Sequence, residues 1–473
     1  MPVTQAFSPV MGFAWSHQGM GENQMGIFKA YDVRGIYPDQ VNESLFEAIG
    51  QVAPKVLECQ SVVVSRDMRK SGESLSAAMI RGLTKAGVDV TDIGMASTPM
   101  LYFATAFLKA GAGVQITASH NPAAYNGCKW CREDAIPVAY DSGLADMEKM
   151  VSHKTFLPPS KSGGVKTVSV ESEYRANLLK YADGIKPLTV VIDCGNGVMG
   201  AFLPQLLAKL PCEVIPLFFE PDGSFPNHEA NPINPNNMRD LVSKVKESGA
   251  DLGVAFDGDG DRSMYVDETG EIIPADFITA LLAGEMLDRE PGATIFYYLR
   301  SSKVCKEEIE RRGGIAKMCR VGHSFIKAMM REDKAIFAGE LSGHFYFRDL
   351  HYTDNAEMAM LAVLAVLSKR GSKMSELIRP FKKYFATGEL NFQVDNTDAA
   401  VARVEKTFKG SAKEIAHLDG LSMYFADYWF NIRASNTEPL LRLNLEADNA
   451  AARDRAKIEV EKVIGGKPES GKH

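Results

Sequence analysis

The stretch Ser61-Val62-Val63-Val64, then Arg66-Asp67-Met68-Arg69-Lys70-Ser71-Gly72, then the run Leu75 to Ala86, decides the fold class. A short β-branched run reads as a buried strand, and residues 75–86 carry helical spacing that Gly87 stops. Val88 to Ile93 returns to strand, and Pro99 to Leu108 to helix with proline at its start. The alternation continues downstream, with strands at Leu188 to Asp193, Leu252 to Phe256, Thr294 to Arg300 and Ala335 to Ala338. Such alternation predicts an α/β protein with parallel or mixed sheets. From Tyr384 the pattern changes to short strands around helices at 398–408 and 449–463. That change predicts a smaller α+β domain at the C-terminal end.

The chain has 473 residues, and about 150 residues per domain suggests three or four domains. Hydrophobic residues make up 45% and charged residues 24%, as in ordinary globular proteins. A net charge of −7 argues against nucleic acid as the main partner, while leaving room for small anions in a local basic pocket. No apolar run reaches the ~18 residues of a membrane span. Residues 1–26 lack a basic segment followed by an apolar core, so they read as a flexible leader rather than a secretory signal. The seven cysteines fit a reducing cytoplasm better than a disulfide framework. Cys128-Lys129-Trp130-Cys131 spells C-x-x-C without a second such pair for zinc, which leaves a redox dithiol as the alternative to two structural thiols.

Five segments carry candidate chemistry. In Gln115-Ile116-Thr117-Ala118-Ser119-His120-Asn121-Pro122, an apolar run ends at Val114 and hands over to a loop. The loop offers the Ser119 hydroxyl, the His120 imidazole and, ten positions on, the Lys129 ammonium. A serine held at a strand end by a rigid turn suits a nucleophile, provided a base and charge stabilisation are supplied. Phe28-Lys29-Ala30-Tyr31-Asp32-Val33-Arg34-Gly35 reads as a loop, either an anion-binding corner or a solvated turn. Asp257-Gly258-Asp259-Gly260-Asp261-Arg262 places three alternating carboxylates after a strand, where they can converge on one hard cation. A Ca²⁺ loop is the rival, since Glu268 stands twelfth from Asp257. Arg262 at the glycine position and the strand-like flanks oppose it, and Mg²⁺ is favoured. Gly339-Glu340-Leu341-Ser342-Gly343-His344 suits the hydroxyls of a sugar, or is an ordinary glycine-rich turn. Arg433-Ala434-Ser435-Asn436-Thr437-Glu438-Pro439 suits a phosphate, with arginine for bidentate recognition.

A sixth segment, Gly195-Asn196-Gly197-Val198-Met199-Gly200, matches G-x-G-x-x-G after a strand, with Glu220 twenty residues past Gly200. It reads as a dinucleotide site or as a tight turn whose glycines permit close packing.

The segments around Ser119, Asp257, Glu340 and Arg433 resemble, in order and nearly in spacing, those of the α-D-phosphohexomutase superfamily. The resemblance runs from about Phe28 to Val463. Phe28–Gly35, Leu341 and Lys383-Tyr384-Phe385-Ala386-Thr387-Gly388-Glu389 make it nearest to the bacterial phosphomannomutase/phosphoglucomutase branch. It implies four domains around a central cleft: three related α/β domains with mixed sheets and a smaller C-terminal α+β domain. The expected units are 27–166 with the phosphoserine loop, 167–271 with the metal loop, 272–381 with the sugar loop and 382–473 with the phosphate loop.

The resemblance also implies roles. Ser119 is the phosphoserine, and Asp257, Asp259 and Asp261 bind Mg²⁺ with the Ser119 phosphate. Lys129 and His323 are the acid/base candidates, with His120 and Arg262 in support. Glu340, Ser342 and His344 read sugar hydroxyls, and Arg433, Ser435, Asn436 and Thr437 hold the substrate's non-reacting phosphate. Tyr31, Arg34 and Arg300 line the cleft, Arg300 standing where many relatives have lysine. The implied activity interconverts hexose 1-phosphate and hexose 6-phosphate, of mannose or glucose, through a hexose 1,6-bisphosphate. The implied partners are small-molecule sugar phosphates, with no nucleic acid and no membrane; monomer and dimer both stay open. The family's use of a similar glycine turn without a nucleotide removes the dinucleotide reading. Phosphoglucosamine is the alternative substrate, and Leu341 argues against it. A sugar-phosphate-binding protein without catalysis is opposed by the intact Ser119, aspartate triad and Lys129. Cys128 replaces a bulky apolar residue before Lys129, which raises oxidation of the Cys128/Cys131 pair as a means of modulating activity.

Overall fold

The computed structural model describes residues 26–156, 161–434 and 440–468. Within them the chain builds four sheets, three mixed and one antiparallel. The first has the strand order 33–36, 125–132, 112–116, 61–66, 89–95, 165–167. Strands 112–116, 61–66, 89–95 and 165–167 run parallel, and 125–132 and 33–36 are added antiparallel. The second sheet runs 272–273, 263–267, 252–256, 189–193, 213–217, and the third 315–319, 294–298, 337–339, 345–347, 353–354. Each repeats the first sheet's switch from parallel to antiparallel pairing. The fourth is antiparallel throughout, in the order 414–416, 421–424, 428–434, 440–447, 385–393, 467–468. Helices Thr397–Phe408 and Ala450–Ile464 cover its apolar face. The α/β class, the mixed sheets and the distinct C-terminal unit all stand.

One rule places the functional loops. In each of the first three sheets, the last parallel strand turns directly into its antiparallel neighbour. The connections are 117–124, 257–262 and 340–344. The fourth loop joins antiparallel strands 428–434 and 440–447. Open α/β sheets bind ligands at the carboxyl ends of strands where connectivity switches, and these loops occupy such positions.

Two local readings change. Strand 112–116 runs two residues past Val114, because Gln115 is buried with partners of its own: its Nε2 donates to Ala96 O at 2.8 Å and its Oε1 accepts from Ser65 Oγ. The segment read as a loop at 28–35 contains strand Val33–Ile36, paired with Tyr125–Cys128. Its pattern was hidden because it is an edge strand of four residues.

The largest apolar core spans the second and third sheets and reaches into the first. Helix Ala356–Arg370 fills it, with every residue from 356 to 368 buried, as expected of a helix apolar on all sides. Glu357 is the one ionisable residue among them. It lies where three units meet, facing Ser97 Oγ at 3.5 Å and Tyr174, and its Oε2 has no hydrogen-bond partner. Burial pushes its carboxyl up to about 7, so the folded protein favours the neutral acid. A carboxyl whose pKa is raised on folding contributes stability that is full below its unfolded pKa. That stability is lost as pH rises toward the folded value. Glu357→Gln is therefore expected to flatten the fall in melting temperature between about pH 4.5 and pH 7, removing a cost of roughly 3 kcal/mol above that window. Melting curves of both proteins across that range check it.

Candidate active site

The serine loop is strained and closely held. Ser119 has φ +50°, a left-handed conformation that non-glycine residues seldom adopt. It is buried, and its Oγ donates to Asp257 Oδ2 at 2.8 Å and lies 3.2 Å from His120 Nδ1. Gly258 makes this approach feasible, since a Cβ there would stand 2.5 Å from the Ser119 carbonyl oxygen.

The aspartate loop folds on itself. Asp257 Oδ1 accepts the backbone N–H groups of Asp261 and Arg262, at 3.1 and 3.2 Å, and Gly260 supplies φ +74°. Asp257, Asp259 and Asp261 are all buried, and one oxygen from each lies within 4.8 Å of the others. Lys129 joins them from strand 125–132, its Nζ donating to Asp259 Oδ2 at 2.7 Å and Asp261 Oδ2 at 2.6 Å. Burial alone would lower the Lys129 pKa, but these carboxylates outweigh it and hold the ammonium charged. Arg262 stands 3.8 Å from Asp257 and 3.9 Å from Asp261.

Three carboxylates thus face two side-chain cations. Burial and the two neighbouring aspartates push Asp257 well above the carboxylate range. Burial would raise Asp261 too, but Lys129 holds it well below. Among the described residues, Asp259 Oδ1 and Asp261 Oδ1 are buried without hydrogen-bond partners. The mutual repulsion that raises Asp257, the oxygen-only donors and, among the described residues, the unpartnered buried oxygens together fit a hard divalent cation.

The third loop adjoins the same centre. His344 Nε2 accepts from Arg262 Nε at 3.2 Å and lies 3.4 Å from Asp261 Oδ1. Ser342 Oγ is 2.8 Å from His344 Nδ1, and Tyr346 Oη donates to Glu340 Oε1. His323 opens helix His323–Asp333, its ring 6.4 Å from that of His344 and 5.2 Å from that of Tyr31. Its Nδ1 is buried and has no hydrogen-bond partner among the described residues. Burial, then Lys327 and Lys129, push the His323 imidazole well below its usual range. Burial, Arg262 and Arg34 do the same to His120. Tyr31 Oη donates to Val321 O at 3.3 Å, and Arg34 Nη1 to Asn121 Oδ1 at 2.8 Å, so strand 33–36 and the residues before it brace both loops.

Ser119, His120, Lys129, the three aspartates, Arg262 and His344 are therefore one cluster, with Glu340, Ser342, His323, Tyr31 and Arg34 around it. Arg300 lies near enough to Glu340 for the two charges to interact. It pairs with Glu389 of the fourth unit and with Tyr298 Oη, which accepts at 2.8 Å from Nη2. Arg433 lies one residue before the end of strand 428–434, buried, with its Nε unpartnered among the described residues. A Cβ on Gly420, which has φ +72°, would meet the Arg433 Cβ at 2.6 Å. Ser435, Asn436 and Thr437 lie outside the described residues.

Sequence reasoning missed Thr98. Its Oγ1 donates to Asp259 Oδ2 at 2.6 Å and its N–H to Asp259 O at 2.9 Å, which ties the first unit to the metal loop. Pro99 marked that helix start, and polar residues beside a helix N-terminus are where such donors sit. The glycine turn at 195–200 serves packing: Val198 N–H donates to Gly258 O at 3.0 Å, and a Cβ on Gly200 would lie 1.7 Å from Phe219 O. The geometry opposes a Cys128–Cys131 dithiol. Cys128 and Cys131 are three apart on a strand, so they point to opposite faces. Both are fully buried, and burial raises both thiols, that of Cys131 to about 11.

Fold and site together define a four-unit protein with a serine beside a cation-ready carboxylate triad. The family models for phosphoglucomutase/phosphomannomutase match throughout: alpha/beta/alpha domain I over 25–156, domain II over 172–270, domain III over 274–384 and the C-terminal domain over 389–463. The chain belongs to the phosphoglucomutase/phosphomannomutase family. It is 40% identical over 428 residues to the phosphohexose mutases of Xanthomonas campestris pv. campestris, covering 90% of this chain and 96% of that one. It is 40% identical over 435 residues to a phosphomannomutase of Salmonella montevideo, covering 90% and 95%. A crystal structure of a family member from Burkholderia thailandensis superposes with a TM-score of 0.87 at 33% identity, covering 94% of this chain and 99% of that one. Among the described residues, no helix is long and apolar enough to cross a membrane.

Proposed function

We propose that this chain is an Mg²⁺-dependent phosphohexomutase that interconverts the 1- and 6-phosphates of mannose, glucose or both through a phosphoserine at Ser119. The observation that carries the reading is Ser119 Oγ, buried at 2.8 Å from Asp257 beside a triad whose carboxyl oxygens lie within 4.8 Å of one another. A phosphorylated Ser119 would add an oxygen ligand to those of Asp257, Asp259 and Asp261. Mg²⁺ held there would supply positive charge at the phosphoryl oxygens.

The side chains divide the remaining work. Lys129, held as an ammonium, adds positive charge beside the transferring group. His323, held neutral with Nδ1 unpartnered, is suited to take the proton that an attacking sugar hydroxyl gives up. Ser119 gives its phosphoryl group to one end of the sugar, and the resulting 1,6-bisphosphate reverses in the cleft. Ser119 then takes the phosphoryl group from the other end. Glu340, Ser342 and His344 would read the sugar hydroxyls. Arg433, with Ser435, Asn436 and Thr437, would hold the non-reacting phosphate. Arg300 would contact substrate after leaving Glu389. Burial of the cluster supports the chemistry by keeping water from a phosphoserine.

On this reading the units are 27–166, 167–271, 272–381 and 382–473. The protein works in the cytoplasm, a reading that the seven free cysteines support. Initial rates with mannose 1-phosphate, glucose 1-phosphate and glucosamine 1-phosphate, each with Mg²⁺ and its bisphosphate, test it. Turnover of the first two above the third is expected. A preference for glucosamine 1-phosphate would move the assignment to the amino sugar, and no turnover of any of them would overturn it.

A further inference from the structure

We propose that Arg69 is the positioning residue of the serine loop, a buried fork that fixes the Ser119 backbone so that Oγ keeps one place through both transfers. This rests on Ser119 being the phosphoryl carrier. Arg69 is 2% exposed and lies outside every segment assigned to substrate or cation. Its Nη2 donates to Ser119 O at 2.8 Å and Asn121 O at 2.6 Å. Its Nη1 donates to Pro122 O at 2.8 Å and Tyr125 O at 2.9 Å. One guanidinium thus gathers four carbonyls, spanning the turn from the serine to the start of the next strand.

The other side of the Ser119 backbone returns to the same place. Ser119 N–H donates to Thr117 Oγ1 at 2.8 Å, and Thr117 Oγ1 donates to Asp67 Oδ2 at 2.6 Å. Asp67 is in turn 3.3 Å from Arg69 Nε and accepts the Arg69 N–H at 2.9 Å. Both peptide groups of a left-handed, non-glycine residue are therefore anchored on one buried ion pair. The second unit closes over it: the Phe225 ring lies 5.2 Å from the guanidinium carbon, and a Cβ on Gly223 would come within 2.6 Å of the Arg69 Cα. The planar fork is what the site uses, because a lysine ammonium cannot reach four carbonyls in two directions.

Arg69→Lys keeps the charge for Asp67 and loses the fork. Thr117→Val keeps the shape and cuts the tie to Ser119 N–H. Each is expected to lower kcat about ten- to a hundredfold while KM for the sugar phosphate stays near the wild-type value, since a small misplacement of a reacting group is enough for such a loss. In Arg69→Ala, added guanidinium ion is expected to restore part of kcat, which a purely structural role would not produce. If Arg69→Lys fails to fold, Thr117→Val decides. Folded variants with wild-type kcat, or with the loss entirely in KM, overturn the proposal. An inactive wild-type protein would instead overturn the function on which it rests.

Discussion

Ser119→Ala is expected to lower turnover by about a thousandfold or more, the scale seen when a covalent nucleophile is removed. The protein should remain folded, because alanine fits the space and Ser119 Oγ contributes only one donated hydrogen bond, to Asp257. Substrate should still bind, since no sugar- or phosphate-reading residue is altered, so KM or a direct binding constant should change far less than kcat. Intact-mass analysis should show a phosphoryl group on the wild-type protein after incubation with hexose 1,6-bisphosphate and none on the variant. Substantial residual activity would mean that the phosphoryl group passes by another route.

Removing divalent cations is the second large effect. A chelator is expected to cut turnover by about a thousandfold, corresponding to several kcal/mol of charge stabilisation lost at the phosphoryl group. Added Mg²⁺ should restore the rate fully. Asp259→Asn should cause a loss of similar size that Mg²⁺ does not restore. Asp259 carries two loads, accepting from Lys129 and Thr98 on Oδ2 while leaving Oδ1 without a partner. The amide keeps its shape but removes a charge that both Lys129 and the cation require. Rates measured across an Mg²⁺ titration check both statements, and chelator-insensitive turnover would contradict them.

How much of this was legible in the sequence follows from range. The strands that deliver Ser119, Asp257 and Glu340 are short apolar runs ending in polar, glycine-rich segments, and such patterns are local. Their neighbourhood is not. That Lys129 would lie between Asp259 and Asp261 depends on a register, Gln115 opposite Lys129, and on the docking of two units. Thr98 reaches Asp259 across 161 positions, and Ser97 faces Glu357 across 260. No periodicity encodes either contact. Strand 33–36 was missed because four edge residues make a weak pattern. The C-x-x-C motif left two readings open because spacing alone does not show whether it lies on a helix, a turn or, as here, a strand whose faces alternate. The pairing of Arg300 with Glu389 joins two units, and no local rule connects them.

The phosphoryl-carrier role of Ser119 is tested most directly by a single turnover with labelled protein. Enzyme carrying a labelled phosphoryl group on Ser119 is mixed with unlabelled mannose 1-phosphate, and the label is followed in time. The account predicts that label leaves the protein, appears first in the hexose 1,6-bisphosphate and then in the 6-phosphate. Label that stays on the protein, or that leaves only as inorganic phosphate, would contradict it.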